Sequence, residues 1–377
     1  MLLELSSEQE LFRGTTARFL EDHANAAKLR RLRHDPTGFA SDYWRRGVEL
    51  GWTSLLVSEE DGGAAISSSG LVDLTILAYE FGHHAAPGPL VSTNVVAGAL
   101  SAVGGDKDLL ARLLSGTSIA TWCFSEGAPH GSIGNMSTRI RVEGDELVVD
   151  GMKRPVESAD NASHFLVTGR TGGGFTQVIV EAAARGVSIA PMQGVDLTKR
   201  FSVVRFEDVR VPLAKVLGRV GEAAADVERQ LQHALVIVLA ETVGAMQRAF
   251  DMTVEWAFER YSFGRPLASY QALKHRFAQM ATCLQASHAI ADEAARAVAE
   301  QRPDAPEIVS AAKAYVGEYG SELLQECVQL HGGIGVTFEH DLHLFLRRVT
   351  LGRTLFGTPD EHRRRLADIV ARKEVAS

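Results

Sequence analysis

Cysteine is scarce: the 377 residues carry only Cys123, Cys283 and Cys327, an odd number set far apart with no Cys-x-x-Cys pair. That excludes a disulfide framework and a thiolate metal knuckle, and it fits a reducing, cytoplasmic compartment. Excess positive charge is also missing, with a formal net charge of -8 and a pI near 5.9. A nucleic-acid or anionic-membrane surface is therefore excluded as the main partner, and the basic run Arg363 to Arg365 reads as a solvated helix face. The longest apolar run, Ala234 to Ala240, is far shorter than the ~20 residues that span a bilayer. Near the N-terminus Glu4, Glu8 and Glu10 stand where a signal peptide would place basic residues before an apolar stretch, so none is read. The chain lacks a Gly-x-Ser-x-Gly elbow, and Gly172 to Gly174 precede no helix, which sets aside a hydrolase nucleophile turn and a dinucleotide loop. What is present is 45% hydrophobic content, enough for a large core divided into two or three domains.

The texture of the chain changes twice. Ser7 with Glu10 makes a capping box, and Leu11, Phe12, Thr16, Phe19 and Leu20 follow at helical spacing. Further helices are predicted over residues 41–49, ending at Gly51, and 71–81, ending at Gly82, before Pro87 and Pro89 break the pattern. From Ser118 the runs become short and β-rich: 118–124, 138–142, 147–149, 164–168, 177–180 and 202–206, with turns at Gly144-Asp145, Asp150-Gly151 and Gly172 to Gly174. This segment reads as a small β-barrel. After Gly221, helical periodicity returns over 222–258, 267–300, 305–331, 339–351 and 360–373, a helical bundle. The fold class is thus α+β, with an N-terminal helical domain over 1–116, a β-barrel over 117–220 and a C-terminal bundle over 221–377.

The corner between the first two bundle helices reads Arg260-Tyr-Ser-Phe-Gly-Arg-Pro-Leu-Ala-Ser-Tyr-Gln271. Gly264 can take the left-handed conformation that ends a helix, and Pro266 suits the first turn of the next. Arg260, Arg265, Ser262 and Phe263 together can hold a diphosphate and stack on a flat ring.

With a second motif, Gln329-Leu-His-Gly-Gly-Ile-Gly335, and the tail Leu355-Phe-Gly-Thr-Pro-Asp-Glu-His362, this order resembles the acyl-CoA dehydrogenases over nearly the whole length. The resemblance implies a helical domain, a middle β-barrel, a C-terminal four-helix bundle, bound FAD, an acyl-CoA substrate, an electron-transfer-flavoprotein-type acceptor, and tetramers built as pairs of dimers. It also implies that Arg260, Ser262, Phe263, Gln271, Gln329, Gly332 and Gly333 reach across the dimer to the ADP part of a neighbour's FAD. Glycine there makes physical sense, because backbone without Cβ can approach a ribose or phosphate closely.

The half that should hold this chain's own flavin ring departs from the family pattern. The usual Thr-Glu-Pro followed by Gly-Ser-Asp becomes Ser125-Glu-Gly127, with Gly131-Ser-Ile133 after it. Ser125 can replace the threonine hydroxyl. The ring-stacking aromatic-x-Thr/Ser aligns with Pro155-Val156-Glu157, and a carboxylate near N5 disfavours an electron-rich reduced ring. The family's catalytic glutamate takes one of two placements, and these fall on Phe356 and on Ala234 or its neighbour Leu235. None is an acid. Glu241 lies two turns from Ala234 on nearly the same face and is the fallback base; its plainer reading is a buried carboxylate paired with an arginine of a packed helix. His331 reads as a variable position of its turn. His83-His84 and His340/His343 have no accompanying carboxylate or cysteine set, so no metal is expected. Two function classes follow: a subunit lacking base and ring support that completes the FAD site of a paralogous partner, or a self-sufficient homo-oligomeric dehydrogenase using Glu241.

Overall fold

The computed structural model describes residues 4–127 and 133–376. Helices α1 (Ser7–His23), α2 (Ala26–Arg31), α3 (Ser41–Glu49), α4 (Gly70–His83), α5 (Leu90–Ala102) and α6 (Lys107–Leu114) form the first part. The capping box of α1 sits one residue earlier than expected: Gln9 N–H donates to Ser6 Oγ at 3.3 Å and Ser6 N–H donates to Gln9 Oε1 at 3.0 Å. Helix α4 ends at His83, one residue past the expected stop at Gly82. It crosses α7 (Ala224–Glu259) at very close range, and a Cβ on Gly82 would fall 1.8 Å from the Glu241 carbonyl oxygen. Gly244 makes the reciprocal approach, where a Cβ would fall 2.1 Å from the Tyr79 carbonyl oxygen. Glycine at these two points serves helix contact rather than termination.

The middle strands are β1 (Ala120–Cys123), β2 (Arg139–Glu143), β3 (Glu146–Glu157), β4 (His164–Thr171), β5 (Gly174–Glu181), β6 (Val187–Met192), β7 (Phe201–Pro212) and β8 (Val216–Leu217). They make one sheet in the order β6-β7-β3-β2-β4-β5-β8, with β1 added parallel to β4. The sheet is open, which corrects the expected barrel. Its ends, β6 and two-residue β8, do not pair, and helices do the covering that closure would have done. Trp122, Phe124, Leu166, Ile179 and Leu217 belong to the large helical core, whereas Cys123, Val149, Val167, Val178 and Val204 enclose a second core of the sheet's own.

The last part pairs α7 with α8 (Gln271–Ala299), α9 (Ala305–His331), α10 (Leu342–Thr354) and α11 (Pro359–Ala376). Between α7 and α8 the chain makes a two-residue ribbon, β9 (Tyr261–Ser262) against β10 (Arg265–Pro266). Among the described residues no helix is long and apolar enough to cross a membrane. The three cysteines are unbonded.

Candidate functional site

Two places carry the residues singled out by sequence, and they lie at different levels of α7. From Glu241 to Glu259 the helix rises roughly 27 Å.

The inner place lies where β1, the end of β3, the start of β7 and the α10–α11 turn converge. Ser125 and Phe356 meet there, with Val91, Ser92, Trp122, Pro155, Glu157, Phe201 and Leu355, around a cavity of about 20 Å³. That is room for about one water. Trp122 stacks on Phe124 at 4.6 Å between centroids and lies 5.8 Å from Phe356. Phe356 has a left-handed φ of 57°, and its carbonyl accepts a hydrogen bond at 3.0 Å from His362 Nε2, so the turn that carries the ring is pinned from behind. Three further donations from the buried Lys313 ammonium, to the carbonyls of Gly352, Arg353 and Gly357, hold the same turn. Gly131 and Ser132 lie outside the described residues.

Behind this cavity runs a chain of buried charges. Glu157 does not stand free: its Oε2 accepts from Ser92 N–H at 3.0 Å and its Oε1 from Lys199 Nζ at 3.1 Å. Lys199 also donates to Glu241 Oε1 at 3.0 Å and to the Gly88 carbonyl at 3.1 Å. Arg348 continues the chain, 3.9 Å from Glu241 Oε1, with Nε donating to Asp196 Oδ2 at 2.5 Å and Nη2 to the Ala86 carbonyl at 2.9 Å. Burial works against the Lys199 and Arg348 cations, but Glu157 and Glu241 beside Lys199, and Asp196 and Glu241 beside Arg348, raise both above their ordinary values. Three acids face two bases, so the chain holds one formal negative charge in excess. Glu241 therefore pairs first with a lysine from the segment before β7, and only more loosely with the arginine of a packed helix. It does not line the small cavity. Ala234 and Leu235 are fully buried core residues of α7.

The outer place is the ribbon corner. Phe263 (φ 50°) and Gly264 (φ 79°) make its left-handed tip. Pro266 sits in β10 rather than in a helical first turn, because a short turn over 267–269 intervenes and α8 begins at Gln271. The Tyr270 hydroxyl donates to the Ser262 carbonyl at 2.7 Å, and Arg265 lies over the Tyr270 ring at 3.9 Å. Arg260 lies 5.9 Å over Trp256, and His331 stacks on the same indole at 5.5 Å. Trp256 thus brings the Arg260 corner and the Gln329–Gly333 turn to one end of the bundle. Arg260, Gln271, Gln329, Gly332 and Gly333 are exposed, and a Cβ on either glycine would meet open space. Phe263 is 97% exposed, Phe258 66% and Tyr261 63%. Three large apolar rings thus stand exposed beside cationic and backbone donors at this corner.

Sequence reasoning missed Lys199, Arg348 and Asp196. For Arg348 there was a signal, since it falls in helical phase with Leu344, Phe345 and Gly352 on the buried face of α10. Lys199 and Asp196 lie in an irregular segment, where no periodicity points inward.

A helical layer, an open sheet and a helical bundle, with an inner cleft at their junction and a cationic corner on the bundle's end, define the flavin-dependent acyl-thioester dehydrogenase architecture. The acyl-CoA dehydrogenase N-terminal domain model matches residues 6–117 and the C-terminal domain model residues 224–371. The chain belongs to the acyl-CoA dehydrogenase family. It is similar to the acyl-CoA dehydrogenase IpdE2 of Mycolicibacterium smegmatis, 30% identical over 365 residues that cover 96% of this chain and 98% of that one. Isobutyryl-CoA dehydrogenase of Dictyostelium discoideum is 26% identical over 338 residues, 85% of this chain and 79% of its own. Among solved structures, a variant of the Tcur3481-Tcur3483 steroid ACAD superposes with a TM-score of 0.89 at 26% identity, covering 98% of this chain and 99% of that one. Butyryl-CoA dehydrogenase from Megasphaera elsdenii shares the fold, with a TM-score of 0.89 at 20% identity over 98% of this chain and 100% of its own.

Proposed function

We propose that this chain is an acyl-CoA dehydrogenase subunit that lacks a catalytic base and its own flavin-ring site, and that completes the FAD site of a paralogous partner. The partner carries out α,β-dehydrogenation of an acyl-CoA thioester and passes electrons to an acceptor of the electron-transfer-flavoprotein type. The observation that carries this reading is the 20 Å³ cavity between Ser125, Trp122, Glu157 and Phe356. A tricyclic ring does not fit there, and Glu157 and Glu241 are already engaged by Lys199. The exposed corner, by contrast, suits a diphosphate and ribose arriving from outside, with Arg260 and Gln271 as donors and Gly332 and Gly333 allowing close approach. Phe258, Tyr261 and Phe263 are the apolar area that a partner subunit covers. The likeness to a steroid ACAD supports a bulky polycyclic acyl thioester as the substrate class.

The experiment is co-purification with the paralogous chain and measurement of FAD per complex, of turnover, and of assembly by size. The chain alone is expected to bind no stoichiometric FAD and to reduce no artificial acceptor; a yellow, fully loaded and active homo-oligomer overturns the reading. In the complex, Arg260→Ala removes charge-assisted hydrogen bonds to phosphate and is expected to weaken FAD retention roughly ten- to a hundredfold with assembly intact. Full flavin occupancy in an intact Arg260→Ala complex removes Arg260 from the site.

A further inference from the structure

Away from both places, the last turn of α4 gathers a carboxylate and two imidazoles. Glu80, His83 and His84 stand at i, i+3 and i+4, so a carboxylate one helical turn before the histidine pair joins it, against the expectation from sequence that no ligand set accompanies the pair. Their potential ligand atoms lie within 4.8 Å of one another. Arg13 Nε holds Glu80 Oε1 at 2.7 Å, while Oε2 faces His84, 3.6 Å from its Nδ1. His84 Nδ1 lies 2.9 Å from the Glu80 carbonyl and donates there, so its Nε2 keeps the lone pair. Among the described residues nothing hydrogen-bonds to His83 Nδ1, which is buried. Both imidazoles open onto a cavity of about 250 Å³, shared with Glu21, Arg248 and Asp341.

We propose that Glu80, His83 and His84 form a binding site for a divalent first-row transition cation, with water from the adjoining cavity completing the coordination. Two imidazole nitrogens and one carboxylate oxygen are a common ligand set for zinc. Bonds of about 2.0–2.2 Å around a tetrahedral ion place ligand atoms roughly 3.4 Å apart, so the three groups close by about an ångström through side-chain rotation at a helix end. Arg13 then plays the outer part: it orients the carboxylate from behind, as hydrogen-bonding partners of metal ligands do. Arg13 and Arg248 oppose a cation, whereas Glu80 and Glu21 favour it, and Asp341 is already paired with Arg30. The site is independent of the flavin reading, since none of its residues lines the inner cleft or the ribbon corner.

The test uses the full chain, stripped with a chelator and dialysed against zinc, with bound metal measured by elemental analysis and cobalt(II) substitution followed by visible absorption. One equivalent of zinc and a tetrahedral-type cobalt spectrum are expected. His84→Asn and His83→Ala should each weaken binding at least about tenfold, while His340→Ala leaves it unchanged. Far-UV circular dichroism checks folding; His84→Asn, at the helix end, keeps the test alive if His83→Ala does not fold. Substoichiometric zinc at about 100 μM free metal, or equal binding by wild type and folded His84→Asn, overturns the proposal and leaves Glu80 as the ion-pair partner of Arg13.

Discussion

Removing the Lys199 ammonium is the sharpest perturbation the structure offers. Lys199 is buried and bridges Glu157 from the sheet to Glu241 from α7, while binding the Gly88 carbonyl in the connection before α5. Lys199→Met keeps much of the volume and, among the described residues, leaves Glu157 with the Ser92 N–H as its one hydrogen-bond donor and Glu241 with Arg348 at 3.9 Å. Breaking a buried pair from one side strands a charge and costs about 3–5 kcal/mol, and here two carboxylates lose the same partner. Removing the charges together should be far milder, so the triple variant Lys199→Met, Glu157→Gln, Glu241→Gln is expected to recover most of the loss. Because the neighbouring carboxylates raise Lys199 above 10.5 in the folded chain, its contribution is complete below that value and is lost only as pH rises through the higher folded value. The gap between wild type and Lys199→Met should therefore stay flat from about pH 6 to 9 as far as Lys199 itself is concerned. Denaturant unfolding with fluorescence detection, repeated across that range, measures it. A loss under about 1 kcal/mol for the single variant, or no recovery in the triple, refutes the claim that this charge chain holds the three parts of the fold together.

His362 is buried, and that burial, with Lys313 nearby, lowers its pKa from 6.5 to about 4. Since the unfolded chain takes up this proton first, this one group should contribute a loss of up to roughly 3 kcal/mol as pH drops from 6.5 towards 4, and His362→Gln should remove that part of the slope in pH-dependent melts, leaving the parts from His83, His233 and His288, whose values are also lowered. Phe356→Glu puts an acid back at one family base position, but the chain alone should still show neither flavin binding nor turnover, because Trp122 and Glu157, the latter fixed by Lys199, still narrow the cleft; absorbance and an artificial-acceptor assay decide. Gly82→Ala drives a methyl to 1.8 Å from the Glu241 carbonyl and should cost about 1–3 kcal/mol by forcing α4 off α7, whereas Gly14→Ala, inside α1 with nothing within 4 Å of its added methyl, should stabilise by about 0.5–1 kcal/mol in the same unfolding assay.

The order of helix, strand and helix was legible because it rests on local periodicity, and so were the long bundle helices, whose apolar phase persists for many turns. Strand β6 was not: it is an exposed edge strand with Pro191 inside it, so it shows neither alternation nor an apolar run. The open sheet was misread as a barrel because closure depends on what covers the sheet's ends, which no strand reports about itself. Gly82 shows the same limit in one residue. A glycine late in a helical pattern reads as a stop, yet here it marks the crossing of α7. In the inner site, the loss of an acid at Phe356 was visible in the sequence, whereas the capture of Glu157 and Glu241 by Lys199 was not, since those contacts span 42 residues in each direction. The outer corner was legible as a motif, and its exposure was not.

The proposed function has a stoichiometric consequence, because on that proposal each complete flavin site takes a cleft from one chain and a corner from the other. A symmetric pair therefore builds two sites. In a pair where this chain's cleft is narrowed by Phe356, Trp122 and Glu157, the proposal has its corner complete the partner's cleft, while the partner's corner faces a cavity of about 20 Å³, too small for a ring. One FAD per heterodimer follows. Flavin absorbance against protein mass gives that ratio directly, and Arg260→Ala should then empty the complex, whereas truncating the matching arginine of the partner should leave it full. A ratio of two, or equal sensitivity to both substitutions, means that the inner cleft opens in the assembly and that its closure is no part of the function.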